Sequence, residues 1–152
     1  LPNAFFLRTQ IEMLTDYFSL GEVDEIWITF PDPQLRTSRA KKRLTHPRFL
    51  RLYKQVLKQG GRIHLKTDSP DLYRFTLQVA EMYGLTIHAQ CDNVYAQTKI
   101  DPALLIKTHY ESLDIAESNR IHYLVLSLPE EIANLDEALQ ELLKKTEKQI
   151  ES

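Results

Sequence analysis

The spacing of apolar residues changes period several times along the chain. Glu25-Ile26-Trp27-Ile28-Thr29-Phe30 is a dense β-branched and aromatic run closed by Pro31 and Pro33. Neither proline fits inside a central strand, so the run reads as a strand that ends in a rigid loop. Arg62 to Thr67 and Ile121 to Leu126 read as two further strands, and Leu85 to Cys91 alternates as a half-buried strand does. Elsewhere the period lengthens to that of a helix. Phe49, Leu50, Leu52, Tyr53, Val56 and Leu57 form one apolar face, opened by Pro47 and stopped at Gly60-Gly61. Asp68-Ser69-Pro70 is a cap followed by proline in the first turn, leading into a helix from Leu72 to Tyr83 with a stop at Gly84. Ala4 to Leu7 suggests the end of a strand, and Ile11, Leu14 and Phe18 a helix running up to Gly21. Pro129 to Ile150 is expected to be helical, with Ile132, Leu135, Leu139 and Leu142 on one seam, while residues 92–107 show no period and read as a loop.

Strands alternating with helices predict an α/β fold: a mostly parallel sheet with helices on both faces and ligands at the carboxyl ends of the strands. Two places answer to that rule, the loop after Phe30 and the turn at Thr67-Asp68, and each carries an aspartate just after a strand.

With 152 residues and 43% apolar content the chain has the size of one domain. It contains no apolar run near the roughly 20 residues that a membrane-spanning helix needs, which predicts a soluble, cytoplasmic protein with no membrane partner. A single cysteine, Cys91, forms no internal disulfide framework and no thiolate zinc site, and is expected to be a small buried hydrophobe. The histidines His46, His64, His88, His109 and His122 have no metal-like spacing, so no metal is predicted.

Charge alters the picture more than composition does. The net charge of -2 conceals eleven Lys or Arg and no acid between residues 33 and 67, against ten acids and four bases from Glu111 to Ser152. Such polarity within one small domain favours a polyanion docking on one face, with nucleic acid first among candidates.

Five elements then fall in order: Phe30-Pro31-Asp32-Pro33, Lys41-Lys42-Arg43-Leu44, Gly60-Gly61, Thr67-Asp68 and Thr108-His109-Tyr110-Glu111. Their order and spacing resemble the bacterial tRNA (guanine-N7-)-methyltransferases from about Asn3 to Leu128. The resemblance implies the C-terminal part of a class I, Rossmann-like methyltransferase over 1–128, followed by a helical extension over 129–152. It implies S-adenosyl-L-methionine as cofactor and tRNA as partner, with a variable-loop guanine methylated at N7. It also implies a fragment, because the glycines, Gly21, Gly60, Gly61 and Gly84, make no Gly-x-Gly turn. Little or no cofactor binding by this chain alone is the corresponding expectation.

On the same resemblance Asp32 is catalytic and, with Gln10, cofactor-binding; Arg36, Asp68, Thr108 and Glu111 bind the substrate; and Ser38, Arg39, Ala40, Lys41, Lys42 and Arg43 bind RNA. The residues alone admit plainer roles. Asp32 can cap a turn, Asp68 can cap a helix, and Thr108-x-x-Glu111 can be a capping box. Departures from the family pattern are Gln34 in place of a tryptophan, Arg36 for lysine, Lys42 for arginine, and Gln10 for an acid. Other functional classes remain open: an RNA-binding module without activity, or a class I methyltransferase with another acceptor. A homodimer could form through the bare edge of the 25–30 strand or through the C-terminal helix, although docking on its own domain is the expectation for that helix.

Overall fold

The computed structural model describes residues 3–92 and 120–151. Thr108 and Glu111, His109 and most of the expected 92–107 loop lie outside the described residues. A four-stranded sheet forms the centre, in the order β1 (Val23–Thr29), β2 (Leu57–Thr67), β4 (His122–Ser127), β3 (Thr86–Cys91). β1 pairs with β2 in parallel, and β4 runs antiparallel to both β2 and β3. Three strands therefore point the same way, with β4 reversed between two of them.

Alternation along the strands divides the side chains between two faces. Ile28, Ile63, Leu65, Leu124 and Leu126 face one side, where they bury against Phe49, Leu50 and Tyr53 of α2 (Pro47–Val56) and Leu72, Phe75 and Val79 of α3 (Pro70–Tyr83). Leu139 of α4 (Asp136–Glu151) joins this same core. The other face carries a smaller cluster of Cys91, Ile121, Tyr123 and Val125, with Phe30 against it. Here Trp27 stacks on the register-paired His64 at 4.0 Å between ring centroids, and His64 bonds the Tyr123 hydroxyl at 2.8 Å and Glu25 at 3.0 Å. Cys91 is free and buried, as a small hydrophobe should be.

The α3 capping signals hold in detail. Ser69 accepts the Leu72 N–H, Pro70 opens the helix, and Gly84 closes it in the left-handed region at φ 71°. Four boundaries differ from the sequence expectation. Ala4 to Leu7 forms no strand and exposes Phe5 and Phe6 almost completely, because no neighbouring strand among the described residues completes its backbone bonds. The helix expected up to Gly21 is only a 3-10 turn, Ile11–Met13, and a single α turn, α1 (Leu14–Tyr17), since Phe18 is already extended.

Gly60-Gly61 does not stop α2. That helix ends at Val56, and both glycines lie within β2, where the register jumps from Val23↔Leu57 to Glu25↔Arg62. A Cβ on Gly61 would stand 2.9 Å from the Lys58 carbonyl and 3.1 Å from that of Asp24, so the bulge requires glycine there.

The last helix begins at Asp136 rather than Pro129. Lys54 donates to the Pro129 carbonyl at 2.7 Å and Arg51 to the Ala133 carbonyl at 3.0 Å, holding the approach in an irregular path that leaves Ile132 outside the helix. The expected docking of this helix on its own domain is what the structure has: Leu139 is buried, and Asp136 receives two hydrogen bonds from Arg51 at 2.8 and 2.9 Å and one from Tyr83 at 2.6 Å.

No helix among the described residues is long and apolar enough to cross a membrane.

Candidate functional site

Because β1 and β2 are parallel neighbours with Thr29 opposite Lys66, their carboxyl ends lie side by side. The Phe30 loop and the Thr67-Asp68 turn consequently share one end of the sheet. β4 is reversed, so its first residues come to this same end, together with the last residues of β3.

The loop after β1 is bent at two non-glycine residues of positive φ, Phe30 at 51° and Gln34 at 47°. Such backbone is uncommon and persists where surrounding bonds hold it. Phe30 N–H donates to the Lys66 carbonyl at 2.8 Å, and Gln34 N–H donates to Asp32 Oδ1 at 3.0 Å. The turn-capping role open to Asp32 is thus realised through one carboxylate oxygen, while the residue stays exposed.

Gln34 is the hub of the segment. Its side-chain oxygen accepts from Arg39 Nε at 3.0 Å, and its carbonyl accepts from Arg43 Nε at 3.0 Å. Arg43 also donates to the Leu35 carbonyl at 3.3 Å and lies 4.5 Å over the Phe75 ring. It is 7% exposed, and burial pulls its pKa below the ordinary arginine value, partly opposed by Asp71. Its guanidinium is spent on folding the loop rather than on facing solvent. Sequence reasoning saw Gln34 only as a missing tryptophan, and nothing in the local pattern marks it as a hub.

The other candidates fall as follows. Thr37–Lys42 is a 3-10 helix whose neighbour Arg36 is exposed, as are Ser38, Arg39, Lys41 and Lys42, while Ala40 is buried in the main core. Five exposed side chains therefore share one short segment beside the Asp32 loop. At the β2 end, Ser69 performs the capping and its N–H donates to Thr67 Oγ1 at 3.0 Å. Asp68 is relieved of that task and stays partly exposed. Gln10 is exposed and extended before the Ile11–Met13 turn, with no capping bond from its side chain.

The structure adds a group at this end that the sequence reading missed. Asp92 follows β3 and stands 3.3 Å from Arg120 and 3.0 Å from His122 Nδ1, and the buried His122 ring stacks on Tyr73 at 4.7 Å. The signal existed, since Asp92 is a third aspartate placed directly after a strand.

The second carboxylate oxygen of Asp32 has no bond among the described residues. The four glycines occupy the Gly21 turn, the β2 bulge and the α3 cap.

Comparison with known proteins bears on this arrangement. Residues 1–124 match a family model described as "Putative methyltransferase". The tRNA (guanine-N(7)-)-methyltransferase of Porphyromonas gingivalis is 47% identical over 131 residues, 86% of this chain and 53% of that protein. That of Bacteroides thetaiotaomicron is 40% identical over 131 residues, 86% of this chain and 51% of that protein, and that of Christiangramia forsetii 42% over 128 residues, 82% and 56%. The chain spans about half the length of these curated relatives. The family match covers the whole Asp32 loop, the basic segment and the Asp68 turn, and the chain belongs to this methyltransferase family.

Proposed function

We propose that the complete protein is a cytoplasmic tRNA (guanine-N7-)-methyltransferase that methylates a variable-loop guanine, and that this chain carries its acceptor and RNA-holding half. The observation that supports this most is the placement of Asp32 and Asp68 at the carboxyl ends of adjacent parallel strands, beside a segment that exposes Arg36, Arg39, Lys41 and Lys42. The relatives' names supply the reaction and the acceptor atom.

S-adenosyl-L-methionine, when bound, supplies a methyl group on a sulfonium. Guanine N7 has a lone pair and no proton, so the acceptor needs no general base. The protein's task is placement, plus a negative charge near the purine as positive charge grows on it. Asp32 is assigned that role, one oxygen held by Gln34 N–H and the other left to face the reacting groups. Asp68, freed from capping by Ser69, is assigned to the guanine N1–H and N2–H₂ edge. Arg36, Arg39, Lys41 and Lys42 hold the RNA backbone, a contact that fixes register without reading sequence. Arg43 contributes from beneath by shaping the loop. Thr108 and Glu111 keep the substrate-binding role that the resemblance gives them.

The test is methylation of tRNA by the full-length protein with labelled cofactor, followed by mapping of the label. Label at guanine N7 of the variable loop is expected. Label at another atom, or none in tRNA, refutes the reading.

A further inference from the structure

Between the 3-10 helix Thr37–Lys42 and α4 runs a cleft of about 460 Å³, of whose lining the reading above uses only Lys41. Its α4 wall lies outside the residues matched by the family model, which end at 124. Gln140 of α4 donates to the Thr37 carbonyl at 3.0 Å, which ties the two walls together. The cleft is therefore set by the fold before any ligand arrives.

Three cations line it: Lys41 from the 3-10 helix, Arg48 from α2 and Lys144 from α4. None is held in a buried ion pair, although Arg48 also lies 4.3 Å over the Phe49 ring. Lys41 has no ion pair among the described residues, Lys144 reaches Glu141 only at 3.9 Å, and Arg48 meets Glu12 at 3.1 Å in a pair exposed on both sides. Exposed pairs of this kind are weak and readily exchanged. Two carboxylates also line the cleft, Asp136 and Glu137. Asp136 is already committed to Arg51 and Tyr83, which leaves Glu137 against three cations. The surplus is positive.

The floor is more specific. His46 is 5% exposed, lines the cleft and accepts the Arg48 N–H on Nδ1 at 3.1 Å. Burial holds its imidazole down at about 4, with nearby Arg48, Arg51 and Arg43 acting in the same direction and Asp136 opposing, so the ring is neutral near pH 7. With Nδ1 accepting, the ring proton belongs to Nε2. Nε2 finds no acceptor among the described residues. An N–H donor with no protein partner is available to an anionic oxygen in the cleft. Ser38 offers a hydroxyl from the same wall as Lys41.

Resting on the RNA reading above, we propose that this cleft holds a backbone phosphate of the bound RNA, with Lys41, Arg48 and Lys144 around it and the His46 Nε2–H beneath. The path of the RNA then continues from the Asp32 loop across the 3-10 helix onto α4, and α4 is part of the binding surface.

The experiment is an NMR titration of the protein with inorganic phosphate, followed by addition of tRNA. Saturable shifts at Ser38, Gln140 and the His46 ring are expected, weakened by about tenfold in Lys144→Ala and unchanged in Lys145→Ala, a neighbour on α4 outside the cleft lining. Addition of tRNA should displace the phosphate, and Lys144→Ala should lower the salt slope of tRNA binding by about one. Absent or non-saturating shifts, or equal shifts in Lys144→Ala, overturn the site. Shifts that survive saturating tRNA overturn its assignment to RNA in favour of a free phosphoryl ligand. The phosphate arm needs neither methyl donor nor tRNA, so its failure is distinct from a misplaced methyl label.

Discussion

Arg51 and Asp136, separated by 85 positions, meet through two hydrogen bonds of 2.8 and 2.9 Å, fork to fork. Tyr83 adds a third to the same carboxylate at 2.6 Å, so α2, α3 and α4 are joined at one point. The Arg51 hydrogen bond, followed by that of Tyr83, holds the Asp136 carboxyl below the usual range against its partial burial, and Arg51 is raised in return.

Breaking this junction should loosen α4. Arg51→Ala is expected to cost about 1–2 kcal/mol, a modest figure because both partners are partly solvated. Arg51→Lys should not restore it, since an ammonium lacks the planar fork. Urea unfolding followed by helix signal measures both, and an unchanged midpoint in Arg51→Ala would contradict the docking described.

His46 makes stability depend on pH. Its folded pKa, about 4, lies below the ordinary 6.5. Between these values the unfolded chain holds a proton that the folded protein does not, so stability rises with pH through that window and is lost as pH falls through it. The full loss is on the order of 3 kcal/mol. His46→Asn keeps a capping oxygen for α2 and removes the titration, so its melting temperature should vary less between pH 6.5 and 4 than that of the wild type. Parallel curves for the two proteins would rule this out.

Thr45 and Thr76 are fully buried with their hydroxyls 2.7 Å apart, and Thr76 Oγ1 also donates to the Leu72 carbonyl at 2.8 Å. The hydrogen of Thr45 therefore points at Thr76. Thr76→Val strands that donor and is expected to cost about 1–3 kcal/mol, more than Thr45→Val, which leaves Thr76 with its carbonyl partner. Denaturant melts of the two variants should rank them in that order.

Arg43 and Lys42 are adjacent basic residues with different work. Lys42→Ala should leave stability nearly unchanged and reduce the salt slope of tRNA binding by about one. Arg43→Ala should instead lower the melting temperature, because the Gln34 and Leu35 carbonyls lose their donor. Equal salt slopes and equal melting temperatures for the two variants would show that the burial of Arg43 has no consequence.

On the proposed function, in which the carboxylate offsets charge that develops on the purine, Asp32→Asn in the full-length protein should lower kcat by about 10²-fold or more while the KM for tRNA changes little. A loss confined to KM would assign Asp32 to binding.

Much of the architecture could be read from local chemistry. Prolines at 31 and 33 end β1 because they cannot donate to a ladder, and Ser69, Pro70 and Gly84 bound α3 because capping is a matter of neighbouring backbone groups. The placement of Asp32 and Asp68 at one end of the sheet also followed from sequence, since it needs only the strand direction. The exposed cations of residues 36–42 were visible as an acid-free run.

What the sequence could not decide are relationships that depend on distant partners. Gly60-Gly61 looks like a helix stop, and only the approach of the Asp24 carbonyl turns it into a bulge within β2. Pro129 looks like a helix start, and only Lys54 and Arg51, reaching from α2, hold residues 129 and 133 out of the helix. Arg43 is indistinguishable from Lys42 in a basic run until the Phe75 ring and two carbonyls enclose it. The sequence by itself determined the order of strands and helices from β1 to α4, the two acidic strand ends and the basic segment, because these rest on short-range periodicity and composition. The tertiary structure decided which cations stay exposed and where α4 lies, because burial and hydrogen-bond partnership are set by residues far apart in the chain.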